Sequence, residues 1–381
     1  MKNYTTKFSI YQALYALMLM PFFAYGAYYL IYLNQDSLTI GIILATSYAL
    51  AALLQTPIAS LSDKEIISLT GLLKLTLLIF IASALALAMG VFPIVSFSLT
   101  LILLYLINPL INALSIEMSH SGYELDFGIS RGMSSLSYAL FSVIIGRILL
   151  LTGPKILPLA SAIGGIILLI LLSLEKIDLA PKKHSHEKKA RVPLFKAMPN
   201  LIGLMLGISL VYANYSMFNS YLIKTIESLG GSESSLGLAV AIASAAEVPT
   251  MFIFSKIMNR FKLRHLLVIS AFFFTLKTFV AYLAGSMTIL YLSQFIQMFS
   301  FGLYLPTSVY YMASITSEEY RAEAQASATG ATTFGSLFAS LLGGALIHYM
   351  SISHMLLIAT LISVLGTIMI FIFTERIERE K

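Results

Sequence analysis

Long apolar segments follow one another along almost the whole chain, and they limit its fold more than any other feature. Each is long enough to cross the hydrocarbon core of a bilayer, which takes about 20 apolar residues. The first six run approximately over 8–33, 38–62, 66–90, 94–118, 129–150 and 156–174. The other six run over 201–224, 236–258, 263–284, 287–315, 322–347 and 352–373. We therefore predict an all-α membrane protein with twelve transmembrane helices in two sets of six.

The composition excludes most other classes of protein. Of the 381 residues, 58% are hydrophobic and only 11% are charged, whereas soluble domains carry about 25% charged residues. Soluble enzymes and nucleic-acid binders are therefore excluded. The chain has no Cys, and its His residues lack the spacing of metal ligands, so neither a metal nor a cofactor is predicted. The first apolar segment is too long for a signal peptide and is interpreted as a span.

The distribution of Lys and Arg predicts the orientation. With the N-terminus in the cytoplasm, 18 of the 24 basic residues lie in cytoplasmic segments, 2 lie in outer segments and 4 lie inside spans. Positive residues favour the cytoplasmic side of a membrane. We therefore expect a multi-pass protein of the cytoplasmic membrane with both termini inside. The basic segment 175–200 is then a cytoplasmic loop, and its surplus of charge follows from this topology.

Weak internal similarity at an offset near 195 residues indicates a duplication. Leu104-Tyr105-Leu106 with Pro109 in the fourth segment corresponds to Leu303-Tyr304-Leu305-Pro306 in the tenth. The fifth and eleventh segments also match without a gap. We predict a six-helix bundle over 1–174, a basic linker over 175–200 and a second bundle over 201–381. Two such halves are typical of secondary transporters, in which substrate binds near the midplane.

Several stretches resemble the major facilitator superfamily. Residues 32–64 are similar to the family's helix 1–helix 2 region and the loop that follows, with Asp63 at the position of the loop's aspartate. Within the family, the branch of lactose permease, the phenylpropionate transporter-like proteins and the nucleoside–proton symporters is the most similar. Three stretches carry that resemblance: 126–146, 246–260 and 320–346. The resemblance implies alternating access between two six-helix halves.

Two charges inside spans are candidates for proton coupling. Glu247 is the only acidic residue deep in a span, and removal from water favours the neutral form of a carboxyl group, which would let it bind and release a proton. The resemblance places Glu247 at the branch's acidic position in helix 8 and Lys277 at that of a functional arginine. Alternatively, Glu247 is a structural carboxylate that pairs across helices. Lys277 could likewise form a static bridge to helix 8, or its side chain could extend to the membrane–water interface.

Arg131 and Glu117 are a second pair of candidates. Arg131 opens the fifth span, and the resemblance matches it with a substrate-binding arginine. Arg131 and Tyr138 are spaced i, i+7, which puts both on one helix face. Glu117 could form an ion pair with Arg131, although the permease's key helix 4 carboxylate position falls on Ala113. Arg131 could instead lock helix 4 to helix 5, and Glu117 could have a structural or loop role.

Neutral polar residues complete the predicted substrate site. Asn108 and Asn112 are spaced i, i+4 on helix 4, and Tyr215 and Asn219 are spaced i, i+4 on helix 7. Gln294 and Gln297 are spaced i, i+3 on helix 10, so each pair shares a helix face. Gln294 and Gln297 stand where the resemblance would place a lysine and a histidine, so the family's proton relay is reduced to Glu247. The same polar residues could instead hold helices together.

The sequence therefore predicts a secondary transporter that moves a small polar solute, of the sugar or nucleoside class, together with a proton. An exporter or facilitator of aromatic acids, drugs or sugars without proton symport is the alternative. A receptor or scaffold with the same fold is an alternative of another class. The predicted spans contain no combination of nucleophile, base and metal ligands, so an enzyme is not predicted. The expected partners are substrate, protons and membrane lipids but no nucleic acid, and the chain is expected to be a monomer.

Overall fold

The computed structural model describes residues 2–63, 66–175, 192–317 and 320–379. The predicted all-α fold is confirmed, and most of the described residues lie in helices. The first seven helices are α1 (Thr5–Phe23), α2 (Gly26–Tyr32), α3 (Ser37–Asp63), α4 (Leu69–Ala88), α5 (Pro93–His120), α6 (Phe127–Thr152) and α7 (Ile156–Leu174). The next five are α8 (Leu194–Ala197), α9 (Asn200–Ser220), α10 (Leu222–Ser228), α11 (Glu233–Met258) and α12 (Leu263–Tyr282). The last four are α13 (Met287–Phe295), α14 (Phe301–Ile315), α15 (Arg321–Tyr349) and α16 (Ile352–Arg379).

The number of spans agrees with the sequence. Among the described residues, 11 helices are long and apolar enough to cross a membrane, and α1 with α2 makes a twelfth when the bent pair is counted as one span. These two helices meet at 47°, whereas the sequence suggested one continuous span over 8–33. The spans make this chain a multi-pass membrane protein. Most of the predicted basic linker, residues 176–191, lies outside the described residues.

The chain divides into two compact units. Unit 1 comprises Met1–Ala180 and Ser220–Ala245, and unit 2 comprises Pro181–Asn219 and Ala246–Lys381. The last boundary, between Ala245 and Ala246, falls within α11, so Glu247 belongs to unit 2. The proposed division into 1–174, 175–200 and 201–381 stays a prediction.

A proline links two helices of unit 1. Pro109 has no N–H group, so it leaves the carbonyl of Tyr105 without its usual helical donor. The side-chain amide of Gln55 on α3 donates to this carbonyl at 3.2 Å. The break in the hydrogen bonding of α5 thus becomes a bond between α3 and α5.

The N-terminal segment is clamped to unit 1 at several points. Strand β1 (Lys2–Asn3) pairs in parallel with strand β2 (Tyr123–Glu124) in the loop between α5 and α6. One turn into α1, the Lys7 ammonium contacts the Glu175 carboxylate just after α7. The hydroxyl of Tyr11 donates to the same carboxylate at 2.9 Å. These contacts join the start of α1 to the loop before α6 and to the residue that follows α7.

This clamp should make stability depend on pH. Burial raises the pKa of Glu175, but hydrogen bonds from Lys7 and Tyr11 outweigh burial and hold this pKa below the ordinary value of 4.5. A lowered pKa in the folded state stabilises the protein above the unfolded-state pKa, and the contribution disappears as the pH falls through the folded-state pKa. We expect Glu175→Gln to lower the thermal midpoint at neutral pH and to match the wild type in acid. Glu124→Gln, at an exposed carboxylate of β2, is the control, and an equal difference at every pH would contradict the prediction.

Close helix packing in unit 2 depends on glycine. Gly207 on α9 lies against α16, where a Cβ atom added to Gly207 would stand 3.0 Å from the carbonyl oxygen of Gly366 and 2.9 Å from Cγ1 of Ile370. Without a hydrophobic driving force between helices in lipid, small residues permit the close backbone approach that holds helices together. The α9–α16 contact is therefore a packing contact that a side chain at Gly207 would separate.

The tenth span, Met287–Ile315, is interrupted near its middle. Helix α13 ends at Phe295, a 3₁₀ turn covers Ile296–Met298, and α14 begins at Phe301. Ser300 has φ −86° and ψ −94°, outside the helical region. Thr250 on α11 donates to the carbonyl of Met298 at 3.0 Å. The sequence suggested one continuous helix here, and the break presents backbone and side-chain groups of 296–300 to neighbouring helices.

Candidate proton-coupling and substrate site

Glu247 is buried inside unit 2, with a relative exposure of 7%. It lies on α11, two residues before Pro249. Helix α14 comes close to it at Gly302, where an added Cβ atom would stand 3.1 Å from the Cα atom of Glu247. A charged side chain at such a depth costs about 2.5–3.5 kcal/mol on the insertion scale, so its neighbours must compensate it.

Gln297 lies between Glu247 and the buried amine of Lys277. Its side-chain Nε2 donates to Oε1 of Glu247 at 2.8 Å. Its Oε1 accepts a hydrogen bond from Nζ of Lys277 at 2.6 Å. The two ends of one amide therefore match an anion on α11 and a cation on α12. Hydrogen bonds to charged groups are the strong ones, which makes this three-residue bridge a central feature of the site.

Aromatic rings surround the ammonium group. Lys277 is 1% exposed, and its Nζ lies 5.2 Å from the ring centroid of Phe218 and 6.0 Å from that of Tyr215. Ring faces attract a cation, and the attraction grows when water is excluded. The amine thus has both a carbonyl oxygen and aromatic faces as partners, which offset the burial of its charge.

Tyr215 connects the bridge to an aromatic cluster. Its ring stacks on that of Phe301 with centroids 5.2 Å apart and an interplanar angle of 9°. Its hydroxyl accepts a hydrogen bond from Nε2 of Gln297 at 3.4 Å. The same ring makes an edge-on contact with Phe274. Half-buried rings beside a hydrogen-bonding hydroxyl suit a solute with an apolar face and polar edges.

The bridge can do one kind of chemistry. With a carboxylate and an ammonium, the Glu247–Gln297–Lys277 bridge is neutral. A proton on Glu247 would leave a net positive charge in the same buried volume. Because charge is strongly felt where water is excluded, gain or loss of that proton would change the stability of this packing. Such a group is suited to proton coupling.

Two predicted residues of unit 2 lie outside this bridge. Asn219 is half-buried and donates to the carbonyl of Tyr215 on its own helix at 2.7 Å. Gln294 is fully buried on α13, one turn before Gln297, and its Oε1 has no partner among the described residues. Their roles in binding substrate stay predictions.

Asn112, a predicted residue of unit 1, is paired with another asparagine of α5. Its Nδ2 donates to Oδ1 of Asn108 at 2.9 Å. The hydroxyl of Tyr15 on α1 donates to the backbone carbonyl of Leu104, one turn before Asn108, at 3.2 Å. The role of Arg131 in binding substrate stays a prediction.

Tyr138 and Glu117 are half-buried in the same unit. The backbone carbonyl of Glu117 accepts a hydrogen bond from the Ser121 hydroxyl at 2.7 Å. The proposed ion pair of Glu117 with Arg131 stays a prediction. So does the expectation that Arg131 shares a substrate cavity with Glu247 and Gln294.

Sequence reasoning missed several groups of the unit 2 site. Phe218 carries no polar atom, so helical spacing marks it only as a packing residue. Thr250 follows Pro249 on α11, and its bond to the carbonyl of Met298 depends on the break in the tenth span. The only usable signal was proximity in sequence, because Phe218 lies three residues from Tyr215 and Thr250 lies three residues from Glu247.

Part of the chain has recognisable relatives. Residues 204–381 match the family model of the Major Facilitator Superfamily. Maltose permease of Geobacillus stearothermophilus is 27% identical over 176 residues, which is 45% of this chain and 44% of the permease. The uncharacterized transporter YwbF of Bacillus subtilis (strain 168) is 24% identical over 195 residues, 49% of each chain. The chain thus spans about half the length of the curated relatives it matches.

Solved structures match over a greater length. The crystal structure of the nucleoside transporter NupG has a TM-score of 0.78 at 14% identity, and the match covers 97% of this chain and 98% of that one. A bacterial homolog of the human lysosomal transporter Spinster, in an inward-facing and unoccupied conformation, has a TM-score of 0.73 at 14% identity, over 98% and 97%. At these identities the likeness shows the fold alone. The chain therefore carries the sequence pattern of the Major Facilitator Superfamily over residues 204–381 and the fold of these solved transporters over nearly its whole length.

Proposed function

We propose that this protein is a secondary transporter that moves a small polar solute of the sugar or nucleoside class together with a proton. The observation that carries the proposal is the buried bridge from Glu247 through Gln297 to Lys277. A carboxyl group and an amine are costly at this depth unless they are used. A carboxyl group that is paired when ionised and can be protonated inside the unit provides a way to couple a proton to a change of packing.

The solute class rests on the groups around the bridge. The half-buried rings of Tyr215 and Phe301 offer aromatic faces, and the hydroxyl of Tyr215 and the amide of Gln294 offer hydrogen bonds. Sugars and nucleosides have hydroxyl groups beside an apolar face and suit such surroundings. The names of the relatives, a maltose permease and a nucleoside transporter, fit the same two classes. In the proposal the protein lies in the cytoplasmic membrane with both termini inside.

Uptake into proteoliposomes tests the proposal. Purified protein would be reconstituted and offered radiolabelled maltose, other sugars and nucleosides, with and without an inward proton gradient. We expect one class to accumulate above its outside concentration when the gradient is present, and collapse of the gradient by a protonophore to release it. Equilibration without accumulation would identify a facilitator. If folded protein neither binds nor exchanges any of the sugars or nucleosides, a receptor or scaffold would be favoured.

A further inference from the structure

We propose that Gln297 is the positioning residue through which Lys277 acts on Glu247. This inference deepens the proposed function, since it assigns the control of the coupling carboxyl group to an uncharged residue. Gln297 is 2% exposed, and the two ends of its amide are occupied by groups from two different helices, α11 and α12. In this role it does not bind substrate.

The direction of the amide follows from the ammonium group. The three N–H donors of Lys277 can be satisfied by the oxygen end of an amide and not by its nitrogen end. With Oε1 turned to Lys277 at 2.6 Å, Nε2 is turned to Glu247. The positive charge therefore fixes which end of Gln297 the carboxyl group meets. That end is an N–H donor, which stabilises the ionised carboxylate over the protonated acid.

The 3₁₀ turn brings the amide into this place. Gln297 is the middle residue of the turn Ile296–Met298, and the turn is held to α11 by the bond from Thr250 to the Met298 carbonyl. Gly302 lets the start of α14 lie against the backbone of Glu247. Side chain and backbone of the broken span thus hold the same stretch of α11, so the position of the amide is set by the fold.

The described contacts bring two other titratable groups to this site. Lys277 comes from α12 and Tyr215 from α9, and both contact Gln297. The contributions of Thr250 and of the broken span are uncharged. Substitution of Gln297 removes the N–H donor of Glu247 and the acceptor of Lys277 together, so variants of Lys277 are needed to separate the two effects.

Infrared difference spectroscopy of the reconstituted protein provides the test, because it needs no substrate. The carbonyl band of the protonated Glu247 would be identified by its loss in Glu247→Gln, and its midpoint measured against pH. We expect Gln297→Leu to move the midpoint upward by about one to two pH units, the shift that loss of one hydrogen bond to a charged group implies. Gln297→Glu, which keeps the shape and the contact with Lys277 but replaces the donor, should also move it upward. Thr307→Ala, at a fully buried hydroxyl of the same span that donates to its own helix at Leu303, should leave it unchanged.

A double-mutant comparison tests whether Lys277 acts through the amide. We expect Lys277→Met to move the midpoint upward and Lys277→Met/Gln297→Leu to move it no further than Gln297→Leu alone. Additive shifts would mean that Lys277 acts on Glu247 directly, and an unmoved midpoint in both Gln297 variants would overturn the proposal. Failure of the proposed function would give a different result. The Glu247 band would still titrate and still respond to substitution of Gln297, but transport would not depend on the proton gradient. That result would refute proton coupling and would leave the role of Gln297 supported.

Discussion

Substitution of Glu247 by glutamine is expected to abolish accumulation driven by a proton gradient while exchange of labelled for unlabelled solute continues. Glutamine keeps the shape of the side chain, and it can still accept the hydrogen bond from Nε2 of Gln297, but it cannot titrate. Exchange requires only that loaded states interconvert, whereas accumulation requires a proton to be released. The effect on accumulation should be complete, because Glu247 is the only acidic residue deep in a span.

The control for this experiment is on the same helix. Glu233→Gln changes a carboxylate in the first turn of α11, and this variant should accumulate solute as the wild type does. Both measurements would use proteoliposomes with equal amounts of reconstituted protein. Wild-type accumulation by Glu247→Gln would show that Glu247 is structural. The protein would then be a facilitator, use another ion or couple through another carboxylate such as Glu117.

Gly207→Leu is expected to cause a large loss of stability. A side chain there must push α9 away from α16, because Cβ alone would come within 3.0 Å of the Gly366 carbonyl oxygen. Neither backbone can yield without opening the surrounding core of unit 2, where Ile208 and Ile370 are nearly fully buried. Overpacking typically costs about 1–3 kcal/mol, and a clash with backbone belongs at the upper end. We expect a thermal midpoint lower by several degrees in detergent.

Gly330 offers a matched control in the same unit. It lies inside α15, and a Cβ atom added to it would have no heavy atom within 4 Å among the described residues. Gly330→Leu should therefore fold and melt as the wild type does, and Gly207→Ala should fall between the two leucine variants. Equal melting of Gly207→Leu and Gly330→Leu would show that the α9–α16 contact gives way without loss of stability.

The spans were predictable because lipid leaves few choices. A chain in a bilayer must satisfy its backbone hydrogen bonds within each segment, so length and hydropathy alone indicate helices. The positions of Glu247 and Lys277 were predictable for a related reason, since a charge in an apolar segment stands out. Opposite charges at the two positions made a pairing conceivable, but the sequence could not show that an amide lies between them.

Gln297 shows why the rest could not be predicted. Helical spacing grouped it with Gln294 as a substrate ligand, because i, i+3 residues share a face of a regular helix. The 3₁₀ turn at Ile296–Met298 changes that phase, and neither Gly nor Pro lies within the turn to reveal it. The turn is stabilised by partners on α11 and α12, far away in sequence. Side-chain direction in an irregular segment follows from tertiary contacts that local patterns do not contain.

The interrupted tenth span also has a mechanical meaning. A regular helix resists bending because each turn is bonded to the next, whereas the backbone between Gln297 and Ser300 is held partly from the side by Thr250. The side chain of Gln297 is held by Glu247 and Lys277. Bending there need not break the turns of α13 or α14, which could move as two stiff rods about a short compliant joint. If a proton changes the hydrogen bonds at Glu247, it changes the forces on the backbone at that joint. A change at one buried atom would then be carried to both ends of the span as a change of angle.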